Sequence, residues 1–82
     1  MILGSQIKAA RIFLKMSQTE LAKIAKTSVD TLKRIEKSEG DYKGSAELFL
    51  KIQSNLEERG IKFENNSVMY GVGLLKEFED NK

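Results

Sequence analysis

The chain contains no cysteine and no histidine. That excludes a disulfide framework, thiolate or imidazole metal sites, a cysteine nucleophile and any triad whose base is imidazole. Serine, lysine, aspartate and glutamate remain for catalysis. Neither a glycine-rich phosphate loop nor a carboxylate cluster is evident among them, so the sequence points away from an enzyme, a cofactor and a metal. Long apolar runs are also missing, and the longest falls far short of the roughly 20 residues that span a bilayer. Met1-Ile2-Leu3 is interrupted by Gly4-Ser5-Gln6 and soon by Lys8, which does not read as a secretory leader. These absences lead to the expectation of a cytoplasmic protein.

What is present suits one small folded unit. The 82 residues, 40% hydrophobic and 32% charged, can build one core and a hydrated surface. A net charge of +2 hides an asymmetry. Residues 1–37 carry eight Lys/Arg against three Asp/Glu, a net +5, whereas residues 38–82 carry six against nine, a net −3. A basic half on a nearly neutral chain suggests a surface that faces a polyanion, although solvated lysines would give the same count.

From Gly4 to Leu14, Ile7, Ala10 and Leu14 recur at helical spacing and Phe13 widens the stripe, which predicts a first helix with Ser5 as its N-cap. Ser17-Gln18-Thr19-Glu20 has the form of a capping box. A short second helix carrying Leu21, Ala22 and Ala25 follows and breaks at Lys26-Thr27. Ser28 caps a third helix that runs through Lys37, with Leu32 and Ile35 turned inward. The polar stretch from Ser38 to Gly44 reads as a loop. Ser45 caps a fourth helix reaching about Arg59, with Leu48, Phe49, Ile52 and Leu56 at 3–4 spacing and Gly60 at C′. Then the period changes to two. Ile61 and Phe63 alternate with Lys62 and Glu64, Asn65-Asn66-Ser67 supplies turn chemistry, and Val72-Gly73-Leu74 alternates again. The expected fold is mainly α, four to five helices with a small C-terminal β-hairpin of Ile61–Glu64 and Val72–Leu75, and a frayed tail from Glu77 to Lys82.

Three short helices with a tight turn between the second and third have the makings of a helix-turn-helix. Ser17-Gln18-Thr19-Glu20-Leu21-Ala22, five residues, then Ser28-Val29-Asp30-Thr31-Leu32-Lys33-Arg34-Ile35-Glu36 resembles the phage repressor and Cro (XRE-like) helix-turn-helix family. The resemblance covers about residues 6–60, with the capping box, the Leu-Ala pair, the capping Ser and the closing Ile-Glu in register. The stretch from Gly60 through Val72-Gly73-Leu74 is similar to a tail found in a bacterial subset of that family. Two positions depart from the pattern. Lys26 stands where the turn usually has Gly, which implies a left-handed or distorted lysine at a cost on the order of 1 kcal/mol, and Thr27 replaces a Val under the turn. Neither departure removes a group expected to face DNA.

The resemblance implies a DNA-binding domain over residues 4–60 and a hairpin and tail over residues 61–82 that serve dimerisation. It implies that the third helix lies in the major groove, with Ser28, Val29, Asp30 and Arg34 at base edges and Thr31 and Lys33 near the groove walls. Gln18 and Thr19 would face the sugar–phosphate backbone or the first base, and Lys37 and Lys43 the phosphates. The chemistry agrees: Arg34 can donate twice to guanine, Val29 can touch a thymine methyl, and Asp30 can accept from cytosine N4. Asp30 also fits an early-turn acid that favours the helix N-terminus. The caps Ser17, Glu20 and Ser28 also have a purely structural reading, as do solvated Lys33 and Lys37, and Arg34 could instead serve a surface ion pair. Arg11 and Glu36 are implied to form a partly buried pair that sets the angle between the first and third helices.

The leading expectation is a sequence-specific transcriptional regulator, a repressor or an activator, that binds double-stranded DNA and is nucleoid-associated when bound. It would act as a homodimer on a two-fold operator, without a small-molecule ligand domain. The dimer is expected through the region after Ser45: Phe63 and Val72 would lie on Ile52 and Leu56, and a two-fold partner would either pair the outer edge of the hairpin or bury Phe49 and Leu50. The alternative is an antitoxin-like protein that binds a toxin partner through its acidic C-terminal half as well as DNA.

Overall fold

The structure is a computed structural model that describes residues 2–64 and 67–70. It is mainly helical. Helices α1 (Gly4–Phe13), α2 (Gln18–Ala25), α3 (Val29–Lys37) and α4 (Ala46–Glu58) are followed by strands β1 (Ile61–Glu64) and β2 (Ser67–Tyr70). Three helices start at the serines expected to cap them. The Ser17 hydroxyl accepts the Glu20 N–H at 3.0 Å, and the Glu20 carboxylate accepts the Ser17 N–H at 2.7 Å. Ser28 accepts the Thr31 N–H at 3.1 Å and Ser45 the Leu48 N–H at 3.0 Å. Each bond satisfies an amide that the first turn of a helix leaves without a partner.

The start of α1 differs from expectation. Leu3, not Ser5, holds the N-cap position, and the Gln6 side chain accepts the Leu3 N–H at 2.7 Å. Ser5 is exposed and its hydroxyl donates to Glu39 at 3.3 Å. A tertiary contact explains the shift. The Gly4 N–H donates to the Ser38 carbonyl at 2.9 Å, and a Cβ on Gly4 would collide with the carbonyl oxygens of Ile35 and Ser38. The missing side chain lets α1 begin directly against the end of α3.

Helices α1 and α2 end alike. Lys26 is left-handed (φ 59°, ψ 48°), as its place in the turn predicts, and Lys15 is left-handed too (φ 60°). After each, a six-to-one hydrogen bond closes the helix: Thr27 N–H to the Ala22 carbonyl at 2.9 Å, and Met16 N–H to the Arg11 carbonyl at 3.0 Å. This is the Schellman ending, normally built on glycine, with lysine in the strained position twice.

The core collects Ile7 and Ala10 of α1, Leu21, Ala22 and Ala25 of α2, and Leu32 and Ile35 of α3. Phe49, Ile52 and Leu56 of α4 and Ile61 of β1 complete it. Burying each large member contributes about 1.5–3 kcal/mol relative to leaving it in water. Phe13 does not join them. It is 57% exposed beside Ile12, because at 3.6 residues per turn it lies about 60° beyond Ala10, outside the stripe. Phe49 is only 1% exposed and belongs to the core, so it cannot also face a partner subunit, whereas Leu50 is 55% exposed.

The hairpin forms, but with a different second strand. β1 pairs antiparallel with Ser67–Tyr70, in the register Ile61↔Tyr70, Phe63↔Val68 and Glu64↔Ser67. Ser67 therefore belongs to the strand and not to the turn. The pairing leaves a two-residue connection, the commonest hairpin link, and uses a segment with β-branched and aromatic residues free of glycine. Asn65, Asn66, Val72–Leu75 and the expected frayed tail lie outside the described residues. Ile61 is buried, Phe63 packs against the core, and the Gln6 amide donates to the Glu64 carbonyl at 2.7 Å, which fastens β1 to α1. Among the described residues no helix is long and apolar enough to cross a membrane.

Candidate nucleic-acid interface

One buried carboxylate holds α3 in place. Arg11 Nε donates to Glu36 Oε2 at 2.7 Å and Nη2 to Oε1 at 3.2 Å. Their side chains are 10% and 2% exposed, more deeply buried than expected from the sequence. The remaining donor of the guanidinium, Nη1, reaches the Met16 carbonyl at 2.9 Å, and the Gln18 amide donates to Glu36 Oε1 at 3.0 Å. Residues from α1, the link after it, α2 and α3 thus converge on one ion pair. Such a pair adds little net stability over an apolar replacement, but losing one partner strands the other charge.

Held this way, α3 turns a charged face outward. At about 100° per residue, Lys33, Lys37, Asp30 and Arg34 fall within an arc of about 100°, opposite Leu32 and Ile35. All four are exposed. Their cations take part in no ion pair among the described residues.

Two clefts flank this face. One, of about 480 Å³, is lined by Thr31, Arg34, Lys37 and the segment that follows α3, including Tyr42 and Lys43. The other, of about 320 Å³, lies toward α1 and is lined by Lys8, Gln18, Lys33, Glu36 and Lys37. Lys37 lines both, so it stands on the ridge between them. Seven of the residues singled out in the sequence meet here or border these clefts: Gln18, Asp30, Thr31, Lys33, Arg34, Lys37 and Lys43. The others sit differently. Thr19 is exposed in the first turn of α2 and lines neither cleft. Ser28 is exposed, and its hydroxyl also donates to Thr31 Oγ1 at 2.9 Å, so both of its roles are internal to the cap. Val29 is half-buried against the core, which turns part of its side chain away from solvent. The Gln18 amide nitrogen is committed to Glu36, leaving its carbonyl oxygen for other contacts.

Five lining residues, Lys8, Ser38, Asp41, Tyr42 and Gly44, were not singled out from the sequence as site residues, and two of them bear on the chemistry. Lys8 counted only toward the charge asymmetry, although its place three residues before Arg11 on the same helix puts it near α3. Tyr42 is the one aromatic in a polar stretch, and that contrast was the available signal. No protein-family model, curated protein or solved structure matches the chain.

Proposed function

We propose that the chain is a sequence-specific DNA-binding transcriptional regulator of the phage repressor and Cro kind. In this reading α2, the Lys26-Thr27 turn and α3 form a helix-turn-helix, and α3 enters the major groove. The observation that carries it is the exposed face of α3, where Lys33, Arg34 and Lys37 stand without ion-pair partners among the described residues, between two further lysines, Lys8 and Lys43. Five cations gathered on one side of a small fold suit a polyanion, and the helix that carries three of them suits a groove. An α-helix is about 10–12 Å across with its side chains, which fits the roughly 12 Å width of the B-DNA major groove.

The labour divides by chemistry. Lysines beside phosphates supply affinity that is indifferent to sequence, and groups at base edges supply discrimination. Arg34 is the principal base reader, through a bidentate contact to guanine. Asp30 shares its face and is repelled by phosphate, so it either accepts from cytosine N4 or serves the helix terminus as an early-turn acid. One such module covers a half-site, so the working form is a homodimer on a two-fold operator. Its interface lies after Ser45 and uses Leu50, since Phe49 is spent in the core.

A selection from randomised duplex DNA, run with the full chain at two salt concentrations, tests this reading. Enrichment of one two-fold motif, with affinity falling steeply as salt rises, supports it. Failure to enrich any motif at either salt would count against sequence-specific binding.

A further inference from the structure

The cleft between α3 and the segment after it contains a tyrosine hydroxyl with no hydrogen-bond partner among the described residues. Tyr42 is half-buried, and its ring rests on Phe49 with centroids 5.6 Å apart and planes tilted by 39°. Phe49 is itself buried in the core, so the ring has a fixed support. The phenol also lies against Gly44, where a Cβ would collide with Tyr42 Oη and Cζ. Gly44 is not among the residues of positive φ, so its backbone does not demand glycine. The room its missing side chain leaves is occupied by the phenol.

Around that hydroxyl the cleft collects positive charge. Lys37, Lys43 and Arg34 line it, and none of their side chains makes an ion pair or hydrogen bond among the described residues. The Tyr42 hydroxyl likewise has no hydrogen-bond partner among them. One carboxylate lines the cleft, that of Asp41, and its Oδ1 already accepts the Glu39 N–H at 3.0 Å. The volume of about 480 Å³ is many times the ~30 Å³ share of a water molecule, room for a tetrahedral anion with its ester substituents.

We infer that this cleft binds a phosphate group, with Lys37 and Lys43 supplying charge and the Tyr42 hydroxyl donating a directed hydrogen bond. Resting on the DNA-binding reading, the group is a phosphodiester of the backbone that borders the groove occupied by α3. Tyr42 is then a positioning contact that sets the register of α3 and reads no base, while Arg34, which also belongs to the exposed face of α3, remains available to a base edge. A hydrogen bond to an ionised acceptor is short and about twice as strong as a neutral one, so one well-placed hydroxyl is enough to matter.

Tyr42→Phe is the variant of choice, since it removes the hydroxyl and keeps the ring on Phe49. In the full chain it should leave the melting temperature unchanged and weaken selected and random duplexes alike, by about tenfold. Lys43→Gln should reduce the slope of log affinity against log salt by about 1. Unchanged affinity and slope in both variants, or an altered base preference in Tyr42→Phe, would overturn the inference. If the wild-type chain binds no duplex, the DNA reading fails and titration with inorganic phosphate, followed by amide chemical shifts, decides the cleft separately. Shifts at Lys43 and Gly44 that are lost in both variants would assign the cleft to a free phosphate, and no shift there would overturn it.

Discussion

Replacing Arg11 by alanine removes two of the three donors that Glu36 accepts from, and leaves its carboxylate with the Gln18 amide alone. The Glu36 side chain is 2% exposed, so water cannot take the place of the guanidinium without the helices parting. Stranding one charge of a buried pair costs about 3–5 kcal/mol. An 82-residue chain at 0.05–0.15 kcal/mol per residue has about 4–12 kcal/mol in all, so the variant stands near the threshold of unfolding. With about 4–8 °C lost per kcal/mol, its melting temperature should fall by at least ~12 °C. Urea unfolding followed by far-ultraviolet circular dichroism measures the loss directly. The same reasoning predicts that Arg11→Met with Glu36→Leu recovers most of it, because no charge is then left buried. A loss below about 1 kcal/mol in Arg11→Ala would refute the argument, since it would mean that Glu36 is solvated or that α3 is held by other contacts.

Other substitutions probe separate parts of the account. Lys26→Gly and Lys15→Gly should each stabilise the fold by up to about 1 kcal/mol, because both lysines are left-handed, and a lowered melting temperature in either would place that residue in an ordinary conformation. Gly4→Ala should destabilise by about 1–3 kcal/mol in denaturant titrations, since its Cβ meets the backbone carbonyls of Ile35 and Ser38, and a neutral effect would deny that contact. Leu50→Lys should weaken the homodimer in sedimentation equilibrium and leave the fold intact, whereas Phe49→Ala should cost about 3–5 kcal/mol of stability. An unchanged dimer in Leu50→Lys would move the interface elsewhere.

Much of this fold was legible in the sequence because it is written in local chemistry. Ser17 with Glu20, Ser28 and Ser45 cap through hydrogen bonds three residues long, and such bonds need no knowledge of the rest of the chain. The inward faces of α2, α3 and most of α4 follow from helical spacing alone. What escaped depends on contacts between distant segments. Gly4 starts α1 because Ile35 and Ser38 lie against it, and nothing near Gly4 in the sequence announces them. Phe13 and Phe49 are equally apolar, yet the position of the neighbouring helices leaves one outside and buries the other. For β2, alternation allowed more than one partner for Ile61–Glu64, and the shorter connection prevailed. At the candidate interface, periodicity was enough to bring Lys33, Arg34 and Lys37 onto one face. Gln18 turns its amide toward Glu36 because a carboxylate eighteen residues away attracts it, and Tyr42 and Lys8 join the clefts only through packing.

The most direct test of the central claim, that α3 reads base sequence, is a selection from randomised duplex DNA carried out in parallel with the wild-type chain and Arg34→Ala. The account predicts a two-fold motif for the wild type. It predicts the same motif for the variant with preference relaxed at one base pair in each half-site, and a loss of about 1–3 kcal/mol on the wild-type site. An identical motif from both proteins, or none from the wild type, would contradict it.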